Sequence, residues 1–171
     1  MRVFSRLVTM TFMALFAVVN APAIAETMTK GGIEPARDLQ KDARQAAING
    51  VPLVVMISLV GCPHCEVVRR SHLLPLLKQS PSALPPLLRQ VELKSSQSLI
   101  DFNGVRITHA DFAKRSKATI APVVLFFGAN GEQIANPLVG SMIPDFYGSY
   151  FDAALMEARS NAAKLKARTN P

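Results

Sequence analysis

The chain has 171 residues, 49% of them hydrophobic and 18% charged, enough to bury an ordinary core in one domain. Twelve Pro and nine Gly exclude a collagenous or low-complexity chain, and only two Cys exclude a disulfide-rich scaffold. The net charge of +7 raises a nucleic-acid role, but with no Trp, two Tyr and no basic stripe interleaved with aromatics no nucleic-acid partner is expected.

Arg2 and Arg6 precede an apolar run from Leu7 to Val19, and Ala23-Ile24-Ala25 has the small-x-small pattern of a signal-peptidase site. The run is 13 residues long, against the roughly 20 that span a bilayer, so residues 1–25 are read as a signal peptide cleaved after Ala25. Its removal leaves one domain, residues 26–171, with 17 Lys and Arg against 12 Asp and Glu, a net charge of +5. The expected location is a bacterial periplasm, where thiols meet oxidising conditions.

Residues 26–34 are a polar lead-in. From Pro35 to Asn49, Leu39, Ala43, Ala46 and Ala47 recur at helical spacing, and Gly50 ends the pattern. Val51 to Val60 is a nearly unbroken apolar run with Pro52 near its start, the pattern of a strand covered on both faces. Gly61 ends it. Cys62 to about Lys78 follows as a helix that Pro75 bends or breaks. Ser80 to Pro86 reads as a connector into a short helical piece ending near Arg89, Val91 to Lys94 as a short strand, and Ser95 to Gly104 as a loop.

Thr108 with Asp111 predicts a capping box for a helix to about Lys117. Ala121-Pro122 leads into a strand from Val123 to Phe127, a turn at Asn130-Gly131 and a partner strand from Gln133 to Asn136. From Pro144, Phe146, Tyr147, Tyr150, Phe151, Ala154, Leu155 and Ala158 mark a long amphipathic helix. This order predicts an α/β sandwich, with parallel strands first, then an antiparallel hairpin, and helices on both faces of a central mixed sheet of about four strands.

With Cys62-Pro63-His64-Cys65 directly after the first buried strand, Pro122 opening the hairpin, Asn130-Gly131-Glu132 in its turn and Val139-Gly140 before the last helix, the chain resembles the thioredoxin family from about Val51 to Leu155. It is similar to small exported proteobacterial thioredoxin-fold proteins, and the quartet Cys-Pro-His-Cys is the one typical of DsbA-type disulfide oxidases. The implied activity is thiol-disulfide exchange. Cysteines three apart at a first helical turn can close a disulfide, and the first lies where free backbone N–H groups and the helix dipole favour a thiolate. Cys62 is therefore the expected nucleophile and Cys65, further inside the turn, the resolving thiol. His64 can favour the Cys62 thiolate, and Pro63 presets φ at the helix start. The resemblance also implies a cis peptide bond at Pro122, facing the cysteines, and a substrate strand paired to the backbone of Ala121.

One position departs from the family pattern. Six residues before the first cysteine, where many thioredoxin-fold enzymes carry a buried acid, stands Met56. Glu92 or Lys94, on the next strand, could serve as proton acceptor, with a solvated or paired surface role the alternative reading for both. Haem attachment is excluded because Glu66, not His, follows Cys65. A copper or zinc carrier using both cysteines is the non-enzymatic alternative, with His64 or His72 as third ligand; His72 lies about 10 Å along the helix from Cys65, too far to share a site. No metal and no cofactor beyond the Cys62–Cys65 disulfide are expected, and His72 and His109 are read as ordinary surface or half-buried histidines.

The direction of electron flow has two readings. Pro-His between the cysteines favours an oxidising poise. Cys65 to Pro122 spans only 57 residues, too few for the helical insertion domain of DsbA-type enzymes. The reading is therefore a periplasmic reductase or electron-transfer thioredoxin, monomeric, with protein thiols and disulfides as substrates and a membrane or periplasmic redox partner; a DsbA-like oxidase is the alternative.

Overall fold

The computed structural model of the chain describes residues 32–78, 84–140 and 144–169. The signal segment of residues 1–25 and most of the polar lead-in lie outside them, as do residues 80–83 of the connector.

The apolar run after Pro52 forms β1 (Leu53–Ser58), every residue of which is buried. It lies at the centre of a four-stranded mixed sheet in the order β2 (Leu87–Glu92), β1, β5 (Val123–Phe127), β6 (Leu138–Val139). β1 runs parallel to β2 and antiparallel to β5, and β5 is antiparallel to β6. Alternation along the central strands divides the core into two layers. Val54, Met56, Val124 and Phe126 face one side, and Leu53, Val55, Ile57, Val123, Leu125 and Phe127 the other.

On the first side pack the helical segment after β1 and the terminal helix α4 (Pro144–Thr169), which contributes Tyr147, Phe151, Ala154, Leu155, Ala158 and Ala162. On the second pack α1 (Leu39–Asn49) and α3 (His109–Arg115). The molecule is the α/β sandwich expected, a mixed four-stranded sheet with helices on both faces.

Several elements differ in extent from the sequence reading. α1 begins at Leu39 because Asp38 caps it, accepting the Lys41 N–H at 2.8 Å, while Pro35 and Asp38 bridge Gln90 and Ile100 in extended form. The segment after Cys62 is helical to Lys78 but changes pitch. An α-helical α2 (Pro63–Val68) passes into a π-helical turn (Arg69–Leu73) and a 3₁₀ turn (Leu74–Lys78), because Pro75 has no N–H for the α ladder. The expected helical piece ending near Arg89 is instead the first half of β2, held by the Leu87 N–H to the Pro52 carbonyl at 3.1 Å and by the parallel register beyond it. Pairing with β1 overrides the local Leu-rich signal.

The Ser95–Gly104 loop contains β3 (Ser98–Ile100), paired with β4 (Arg106–Thr108) around a turn in which Asp101 Oδ1 accepts the N–H groups of Asn103 and Val105. α3 carries the Thr108–Asp111 capping box and ends at Arg115, short of Lys117. Gln133 to Asn136 is not the partner strand of β5. It makes one bridge, Gln133 to Phe127, and the paired residues are Leu138 and Val139, because Ile134 and Ala135 turn inward to the core. Of the aromatic residues read as the apolar face of α4, Phe146 and Tyr150 are 60% and 61% exposed.

Candidate functional site

β1 delivers the chain to the site at its C-terminal edge. Gly61 adopts φ +73°, a left-handed conformation that turns the backbone sharply into α2 without the strain a side chain would bring. Cys62 is the N-cap of α2, and its Sγ accepts the backbone N–H of Cys65 at 3.1 Å. Pro63 occupies the first helical turn, where its missing N–H costs nothing. The two cysteines are joined in a disulfide with Cα atoms 5.3 Å apart.

The two cysteines are not equivalent. Cys65 is 1% exposed and belongs to the core layer of Met56 and Val68, whereas Cys62 is half-buried at its edge. Pro63 and His64 are exposed, and Val60 beside them is 86% exposed. A partner reaching this surface therefore meets Cys62 first. Ala121 packs against the same core layer, and the Ala121–Pro122 peptide bond is cis. Pro122 is buried, and its carbonyl accepts the Gly140 N–H at 2.8 Å, which ties the loop before β5 to the end of β6.

Met56 is fully buried in the layer that holds Cys65, so no carboxyl group lies at that position under the pair. The residues that surround the pair on its polar side come from β1, β2 and the helix. A cleft of about 320 Å³ is lined by Ser58, Cys62, Glu66, Arg69 and Glu92 together with the 59–61 turn and Pro63. The Arg69 guanidinium donates to Gln90 Oε1 at 2.9 and 3.1 Å and to Ser58 Oγ at 3.2 Å, and it pairs with Glu66. Glu66 also pairs with Arg70; that hydrogen bond and the charges of Arg69 and Arg70 hold its carboxyl below the ordinary carboxylate range. Gln90 Nε2 donates to Glu92 Oε1 at 2.6 Å. Lys94 is exposed beyond the end of β2.

The sequence reading passed over Arg69, Ser58 and Gln90. Glu66 and Arg69, four and seven residues after Cys62, share a helical face with it, and that spacing was the available signal. Ser58 and Gln90 could be placed only once β1 and β2 were in register.

His72 sits half-buried against the rings of Tyr147 and Phe151, with centroids 5.0 and 5.4 Å away, and burial lowers its pKa against a raising influence from Asp152. His109 is not a surface histidine. It is completely buried, with both ring nitrogens engaged by backbone groups. Among the described residues no three His, Cys, Asp or Glu side chains gather as a metal site requires.

No protein-family model matches the chain, and no curated protein matches it by sequence. Among solved structures it is similar to mitochondrial thioredoxin 3 from Saccharomyces cerevisiae in its oxidised form, at 16% identity over 73% of this chain and 94% of that one, with a TM-score of 0.48. It is similar to a thioredoxin from Thermus thermophilus at 18% identity over 81% and 94%, with a TM-score of 0.46. A thioredoxin-fold protein from Helicobacter pylori aligns at 16% identity over 77% and 96%, with a TM-score of 0.43.

Proposed function

We propose that this chain is a thiol-disulfide oxidoreductase of thioredoxin-like fold, working through Cys62 and Cys65. The observation that carries the reading is the asymmetry of the pair: a disulfide at a strand-to-helix turn with Cys62 half-buried at the edge of a cleft and Cys65 sealed in the core. Exchange needs this difference, because an incoming sulfur must reach one cysteine while the other is held back to resolve the mixed disulfide.

In the reduced protein the Cys62 thiolate attacks a substrate disulfide. A Cys62–substrate bond forms and the distal substrate sulfur leaves. Cys65 then attacks Cys62 Sγ, closing the disulfide and expelling the second substrate thiolate. The Cys65 N–H that points at Cys62 Sγ favours the thiolate form of Cys62 in the first step. Pro63 and His64 shape the exposed rim, and the backbone of Ala121 with Pro122 is the proposed docking edge for the substrate strand.

The working direction proposed is reduction or electron transfer in an exported, monomeric protein acting on protein disulfides in the periplasm. Between Lys78 and Pro122 the described residues hold the three strands β2, β3 and β4 and the seven-residue α3, with no helical domain of the oxidase kind among them. Trapping tests the reading. Cys65→Ser should accumulate a thiol-sensitive mixed disulfide through Cys62, and absence of any adduct together with failure to reduce insulin disulfides would sink it. A redox titration separates the two directions: a potential as oxidising as that of DsbA, about −120 mV, would reassign the protein as an oxidase.

A further inference from the structure

The mechanism leaves a proton unassigned. Cys65 is sealed from solvent, so when it attacks Cys62 Sγ its proton cannot pass directly to bulk water. Met56, beneath it, has no group to accept one.

Glu92 has the features this step requires. It lines the cleft that Cys62 also lines, and its Oε1 is oriented by the Gln90 amide. Its Oε2 is buried and accepts no hydrogen bond among the described residues, a costly state for a carboxylate oxygen and one that a proton or a water relieves. Its backbone N–H is fixed by His109, so the residue is anchored at both ends. The charged and titratable groups facing it are Arg69 and Glu66 from the helical segment and His109 from α3. Arg69 is a cation already committed to Gln90, Ser58 and Glu66. Glu66 is already paired with two arginines, Arg69 and Arg70. His109 has both nitrogens occupied.

Resting on the exchange reading, we propose that Glu92 is the proton acceptor for Cys65, receiving its proton through water in the cleft that Glu92 shares with Cys62. The proton leaves Cys65 Sγ for the Glu92 carboxylate. The Cys65 sulfur then bonds to Cys62 Sγ, the Cys62–substrate bond breaks, and the departing thiolate recovers a proton from Glu92 or solvent. Atoms and electrons balance with no further oxidant. The cleft of about 320 Å³, into which Ser58, Glu66, Arg69 and Glu92 bring polar groups, has room for the bridging water.

The test is rapid mixing of the reduced protein with dithiobis(nitrobenzoate), which reports two releases of the coloured thiolate. The first follows attack by Cys62, the second resolution by Cys65. Glu92→Gln should leave the first phase within about twofold of the unsubstituted protein and slow the second about tenfold or more at about pH 7. The gap should close above about pH 9, where hydroxide ionises the thiol directly, and added imidazole should restore the slow phase in the Gln variant. Glu92→Asp, which keeps the carboxylate and covers the case in which Gln disturbs folding, should slow the second phase less than Gln. An unchanged second phase in Glu92→Gln, or one slowed equally at every pH and not rescued by imidazole, overturns the proposal. A protein that gives no second release even without substitution overturns the exchange reading instead.

Discussion

His109 holds Glu92 by its backbone. Its Nδ1 accepts the Glu92 N–H at 3.1 Å, and its Nε2 lies 2.9 Å from the Ala36 carbonyl oxygen, so the ring must carry its proton on Nε2 and remain neutral. Burial lowers the His109 pKa, with the Ala36 hydrogen bond and the Glu92 charge acting the other way.

A lowered folded-state pKa means the native protein binds this proton less readily than the unfolded chain. The stabilisation is therefore fully present above about pH 6.5, the ordinary imidazole value, and is lost as pH falls below it. Denaturant midpoints measured downward from neutral pH should fall, and His109→Leu should flatten that slope. The same substitution orphans two buried backbone groups, each costing about 1–3 kcal/mol, and should destabilise the protein at neutral pH as well.

Arg89 and Asp42 tie the start of α1 to β2. Nε and Nη2 of Arg89 donate to the two Asp42 oxygens at 2.8 and 2.7 Å, and both side chains are mostly buried. Arg89→Ala or Asp42→Ala should each cost about 2–3 kcal/mol, somewhat less than a wholly buried pair. The double substitution should cost less than the sum. Additive losses in a double-mutant cycle would show that the pair contributes no coupling.

Met56 is fully buried in the same core layer as Cys65. Met56→Leu should be tolerated within about 1.5 kcal/mol, and Met56→Ala should cost about 2–5 kcal/mol through the cavity it opens. Met56→Asp should be the most damaging, because it buries a charge among apolar side chains. Urea midpoints of the oxidised forms rank the three, and a stable Asp variant would show that this layer admits water.

Gly131, in the turn after β5, adopts φ +79°, and a Cβ there would lie 2.3 Å from Cγ of Phe102. The Phe102 ring is itself 4.7 Å from that of Phe127. Gly131→Ala should lose at least about 1–2 kcal/mol from backbone strain, before Phe102 shifts. A melting temperature equal to that of the unsubstituted protein would contradict this packing.

Much of this molecule was legible along the chain because its signals are local. The apolar run of β1, the Thr108–Asp111 box, the stop at Gly50 and the cysteines at a strand-to-helix junction are each set within a few residues by periodicity, capping or left-handed geometry. What depended on distant partners was not. Leu87 to Arg89 read as helical until β1, more than thirty residues earlier, drew them into a parallel ladder, and β6 was misplaced because the inward turn of Ile134 and Ala135 decides where pairing resumes.

The site divides in the same way. Sequence spacing alone put Cys62 and Cys65 on one helical turn and left Glu92 and Lys94 as equal candidates two residues apart. Only the register of β2 against β1, which sets Glu92 beside Ser58, separated them, placing the Glu92 carboxyl in the cysteine cleft and leaving Lys94 in solvent. Strand register is fixed by contacts across the sheet rather than by neighbours along the chain, so no local pattern could have made that choice.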